Sequence, residues 1–195
     1  MRGGANAPAA EAEQVVGASN MSGAAMTDTH CADAIRNLAA GKIAEVHVPA
    51  ACSVAAAGGA LEGLDRAHDA VGSLGADRVQ VRWRAIDSRV AGDRLRLWHD
   101  GEHVVAVEVE APRPDGGWDA LRAALGAPDA KLPYWDDVVE VADGQWVYPA
   151  RGLALFTTLD DTELARVVAF PPTTLDAYRA KLSRATEPPR EFPER

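Results

Sequence analysis

Cys52 follows a strand-like run and stands ahead of Gly58-Gly59 and a helical pattern. A strand-to-helix turn is a setting that can present a nucleophilic thiolate. Such a thiolate needs a base. His47 lies five residues upstream, and His30 and His68 are imidazoles that folding could bring close. No sharper signature surrounds Cys52, and a buried cysteine acting as a small apolar residue is the plainer reading. Cys52 with His47 is therefore the alternative site, that of a small enzyme or ligand-binding protein.

Two histidines, His99 and His103, flank Asp100-Gly101 in WHDGEH. Their nitrogens with Asp100 and Glu102 could face a cation, but zinc sites need at least three well-placed ligands, and no cysteine is near. A solvated hairpin tip is expected there, and no metal. The paired carboxylates Asp136-Asp137 and Asp160-Asp161 could serve acid–base work or cation binding, yet turn chemistry explains them more simply. KLPYWDD adds Tyr134 and Trp135 in a proline-containing loop, where exposed aromatics anchor interfaces; the competing reading folds both back as a lid on the core. No phosphate-binding glycine loop, dinucleotide fingerprint or serine elbow occurs, so no cofactor is expected.

The elements that would position these residues are set by composition and pattern. The 195 residues carry a net charge of −9 and are 47% hydrophobic, with 6% aromatic and five tryptophans. That balance allows a real core and opposes nucleic-acid or anionic-membrane partners, which need a basic face. Arg78, Arg82, Arg84, Arg89, Arg94 and Arg96 cluster in sequence, and their alternation reads as a solvated sheet face. Cys31 and Cys52 are too few for a disulfide scaffold; they fit buried thiols in a reducing compartment, or one disulfide joins them. No apolar run approaches the ~18 residues of a membrane span, and the leader lacks a signal-peptide apolar block, so a cytoplasmic protein is expected.

Residues 1–28 read as a disordered leader. A cap at Thr27, Asp28 or Thr29 predicts a helix from His30 to Ala40, and Ile43 to Val48 a strand. Ala50 to Gly59 is a second strand or a tight turn. Leu61, Leu64, Ala67, Val71 and Leu74 predict a helix closed by Gly75. Alternation then predicts strands at Arg78–Ile86, Arg94–Trp98 and Val104–Glu110, with Asp100-Gly101 as a hairpin turn and arginines opposite glutamates on the outer face. Past a linker, Trp118–Leu125 is a helix stopped by Gly126, Val138–Val141 a strand, and Asp143-Gly144 a turn. The stretch from Gln145 to Phe170 forms two strands around Asp160-Asp161. Pro171-Pro172 ends them, Thr173 or Thr174 caps a short helix, and 183–195 is a disordered tail.

The fold class is thus α+β, with antiparallel sheet packed against short helices. Two units, 29–112 and 117–182, each run helix, Leu-Gly (Leu74-Gly75, Leu125-Gly126), then three strands ending at proline. Either the chain is a tandem duplication or two ordinary α+β segments align by chance. WDALRAALGAPD with WVYPARGLALFTT, within residues 117–170, resembles the outer-membrane-assembly lipoprotein family (SmpA/OmlA type) and the beta-lactamase-inhibitor-protein-like fold. The chain departs from the lipoproteins in lacking a signal-peptide pattern and a lipidated cysteine. The resemblance implies a non-catalytic sheet surface that binds another protein. The expected function is a protein-binding module of immunity, inhibitor or adaptor type. Tyr134, Trp135, Asp136, Asp137, Asp160 and Asp161 would face a partner with a basic surface.

Overall fold

A computed structural model describes residues 16–62, 65–74, 79–87, 90–136 and 139–183. The fold is α+β. The chain begins with helix α1 (Val16–Ala39), a 3₁₀ turn (Ile43–Glu45) and helix α2 (Val54–Ala60). Four strands follow: β1 (Asp65–Leu74), β2 (Val79–Asp87), β3 (Arg94–His99) and β4 (Val104–Glu110). Helix α3 (Gly117–Leu125) leads into β5 (Ala130–Asp136), β6 (Val139–Tyr148), β7 (Leu153–Thr157) and β8 (Leu164–Ala169), and helix α4 (Leu175–Lys181) closes the described chain.

All eight strands form one antiparallel sheet in the order β1-β2-β3-β4-β8-β7-β6-β5. Each half is a four-stranded meander, and the halves meet where Val107 pairs with Ala169 and Glu110 with Arg166. The order therefore reads the same way from either edge. The last hairpins also share a defect: the register shifts at Trp98/His99 in one and at Phe156/Thr157 in the other.

Strict alternation sorts the side chains. Leu95, Leu97, Val107, Val109, Leu153, Leu155, Val167 and Ala169 line one face and pack under Ile35, Leu38, Leu121 and Leu125 of the helices. Trp98, Ala106, Ala154, Phe156, Val168 and Phe170 line the other, where α4 adds Tyr178. Strand β7 is buried at all five positions because both faces are covered. Residues of both halves share the first cluster, so the two expected units are halves of one body rather than separate cores.

Several expectations need correction. The helix expected from Ala60 to Leu74 is strand β1, paired from Leu74↔Val79 back to Asp65↔Asp87. Its apolar residues fit a helical period, but β2 alternates and requires a partner strand; pairing overrides so weak a local preference. Leu74 therefore ends a strand, and each half has four strands, not three. Residues 16–28 belong to α1, and 1–15 and 184–195 lie outside the described residues. Thr27 and Thr29 do not cap that helix: their hydroxyls donate to the carbonyls of Gly23 and Ala25, both at 3.0 Å, and so sit within it. Ile43–Val48 is a 3₁₀ turn and an unpaired extended run whose Ile43, Val46 and Val48 are buried. Asp143-Gly144 lies inside β6 rather than at a turn.

The arginine–glutamate face is not solvated at its centre. Arg94 opposes Glu110 and Arg96 opposes Glu108, as alternation predicts. Yet the Glu108 side chain is 0% exposed and that of Arg96 15%. Arg78 and Arg89 lie outside the described residues. The two cysteines form the disulfide Cys31–Cys52, with Cα atoms 5.2 Å apart.

Candidate functional site

The β7–β8 turn and the adjoining ends of β5 and β6, at Asp136 and Val139, lie at one end of the sheet, and Asp136, Asp160 and Asp161 fall there. The tip of the β7–β8 turn is well built. Thr158 donates its hydroxyl to Asp160 Oδ1 at 2.7 Å and accepts from the Glu163 N–H at 3.1 Å. Thr158 N–H donates to Glu163 O at 3.0 Å, closing the loop. Asp161, at φ 56°, turns the chain back, and its carbonyl accepts from Trp118 Nε1 at 3.2 Å. Helix α3 thereby holds the tip in place. The Thr158 hydroxyl, then the Thr162 side chain and N–H, keep the Asp160 carboxyl below its usual pKa, so it stays ionised.

Asp160 is exposed and Asp161 half-buried. Tyr134 is a correction: it is 1% exposed and belongs to the core. Its hydroxyl donates to Thr157 O at 2.5 Å, and its ring meets Phe156 edge-on, 5.1 Å between centroids. KLPYWD reads as a loop because of Pro133, but it is edge strand β5, where a proline costs no ladder bond. Gly144 makes room for Tyr134: a Cβ there would stand 2.7 Å from Tyr134 Cε1 and closer still to Val141. Trp135 is half-buried opposite Glu140, and Asp136 ends β5 opposite Val139. Asp137 lies outside the described residues.

Two exposed apolar side chains at this end escape the sequence reading. Leu159 is 70% exposed and Val139 45% exposed. Around them Glu140, Asp143 and Glu163 are exposed, and neither 139–143 nor 158–163 contains a lysine or arginine. A leucine between Thr158 and Asp160 in a turn was the available signal; only the turn's geometry shows that it has nowhere to pack.

The alternative site is not assembled. Cys52 is 0% exposed and its sulfur is bonded to Cys31, so no thiolate exists there in this state. His47 faces outward on its extended run. The histidines of WHDGEH also part company: His99 is buried at 6% exposure, while His103 is exposed and bridges to Ser53. The turn between them is set by Asp100, whose Oδ1 accepts from the N–H groups of Glu102 at 3.0 Å and His103 at 2.8 Å. Gly101, at φ 119°, supplies the one positive angle. Among the described residues no three histidines, cysteines or carboxylates gather as a metal site, and no helix is long and apolar enough to cross a membrane.

A hollow of about 220 Å³ lies between the 3₁₀ turn and α3, lined by Lys42, Ile43, Glu45, Asp115, Leu121 and Ala124 among others. Its charged residues are all exposed, so it holds no desolvated acid or base. Compared with protein-family models, with curated proteins and with solved structures, the chain matches none of them.

Proposed function

We propose that this chain is a non-catalytic protein-binding module of immunity, inhibitor or adaptor type. Its contact surface is the acidic end of the sheet, around Asp160, Asp161 and the adjoining ends of β5 and β6 at Asp136 and Val139. The observation that carries this reading is Leu159, 70% exposed on a braced tip whose turn also carries Asp160, Asp161 and Glu163. An apolar anchor inside a charged rim is the usual anatomy of a protein contact. The rim selects a basic partner, since opposite charge speeds encounter and like charge is rejected. The resemblance of residues 117–170 to folds whose sheets bind proteins points the same way.

The test compares capture of a partner by the wild type with capture by Leu159→Ser and by Asp160→Lys/Glu163→Lys, with circular dichroism as the folding control. Each variant is expected to weaken binding at least tenfold, and wild-type binding is expected to fall between 50 and 500 mM salt, because the rim charges are screened. A partner that binds both variants as tightly as the wild type would remove the tip from the contact.

A further inference from the structure

Helix α1 enters the core through its C-terminal half, and the Ala39 carbonyl at its end accepts from Ala91 N–H at 2.7 Å. Its inner face there is Cys31, Ala34, Ile35 and Leu38, all buried. The segment opposite offers little to pack against. Helix α2 is seven residues, VAAAGGA, and only Ala57 among them is buried. Two glycines weaken a helix, and seven residues are too few for one to stand alone. The segment is instead laced to the β3–β4 tip by its main chain. Val104 N–H donates to Cys52 O at 2.8 Å, Val54 N–H to Glu102 O at 3.0 Å, and Ser53 bridges to His103. Two further links tie α1 to this segment. One is the hydrogen bond from Ser53 Oγ to Asp28 Oδ1 at 2.8 Å; the other is the Cys31–Cys52 disulfide, fully buried at both ends.

We infer that the Cys31–Cys52 bond is a redox-sensitive fastening that clamps α1 to the β3–β4 tip, and that the chain matures where disulfides form. Making the bond removes two electrons and two protons from the thiols. A disulfide-bearing oxidant takes them up and leaves as a dithiol, and a dithiol reductant reverses the exchange. Because both cysteines are fully buried, exchange needs α1 to lift away, so the bond forms during docking and is then protected. Such a bond persists in an oxidising compartment rather than in the cytoplasm that two cysteines alone suggest. Reduction loosens the junction between α1 and the α2 segment, while Ile35 and Leu38 stay against the sheet and the sheet keeps its own pairing.

The experiment uses the full chain equilibrated in an oxidising glutathione buffer, alkylated under denaturing conditions and digested. A peptide joining Cys31 to Cys52 is expected; two alkylated thiols would overturn the inference. The bond closes a loop with a sequence separation of 21. Adding a phosphine reductant should therefore lower Tm by roughly 5–10 °C. Cys31→Ser/Cys52→Ser should melt with the reduced wild type and ignore the reductant. Should that variant not fold, the wild-type melts alone decide, and an unchanged Tm would overturn the clamp. Hydrogen exchange after reduction is expected to quicken in α1 and α2 only; equal quickening in β7 and β8 would show a global constraint in place of a local fastening.

Discussion

Glu108 sits in VVAVEVE, where its alternation with valine reads as water-facing, yet its side chain is 0% exposed. Among the described residues, strands β3 and β8 both supply partners to it. Arg96 donates to Oε1 at 3.1 Å and Trp98 Nε1 to Oε2 at 2.9 Å. Arg166 Nε lies 3.3 Å from Oε1, a charge contact without hydrogen-bond geometry. Arg96 also pairs with Glu110, which Arg94 approaches at 3.7 Å. A buried carboxylate is tolerated only with such partners, and removing it takes that carboxylate away from Arg96, Arg166 and the Trp98 N–H together. Glu108→Ala is therefore expected to cost about 3–5 kcal/mol in urea denaturation; Glu108→Gln, which keeps an acceptor for Trp98, should cost less. Gly144 presents a steric case instead. Gly144→Ala forces its new methyl against Tyr134 and Val141, and about 1–3 kcal/mol of overpacking should appear in the same assay.

At the level of elements, strands with a water-facing side were the most legible. RLRLWH and VVAVEVE are strands as their alternation predicts, although their burial does not alternate, the stretch after Gln145 is the end of β6, β7 and β8 rather than two strands, and Thr174 caps α4 by accepting from Ala177 N–H at 3.2 Å. Legibility failed where local pattern and pairing disagree, as in β1, and where a proline marks an edge rather than a loop, as in β5. It also failed for the site: alternation shows which way Leu159 and Tyr134 cannot point only once their neighbours are placed. The β3–β4 hairpin yields a prediction at this scale. The N–H groups of His103 and then Glu102 lower the Asp100 carboxyl's pKa. A lowered folded-state pKa means that its contribution is present above about pH 4 and fades as pH falls further. Wild type should exceed Asp100→Ala in stability at pH 6, and the gap should close toward pH 3, as read by thermal melts. The contribution is small because the group is exposed.

For the whole molecule, the mirrored strand order and the matching register shifts of the last hairpins accord with an internal duplication, although Leu74 and Leu125, which suggested it, sit in different structures. Leu125-Gly126 stops α3, and the Gly126 carbonyl accepts from the Tyr148 hydroxyl at 3.0 Å, whereas Leu74 closes a strand. The likeness in structure runs hairpin to hairpin. Leu97↔Val107 occupies the place in its meander that Leu155↔Val167 occupies in the other.

The seam between the meanders also dictates timing. Its two strands are separated by most of the second half of the chain, so a nascent polypeptide carries β4 with a bare flank until the final ribbon is synthesised. A product ending before Leu164 would keep its first meander and still show the Val107–Glu110 backbone unpaired, an invitation to strangers. Such a fragment is expected to sediment with aggregates, while the intact chain stays in the supernatant.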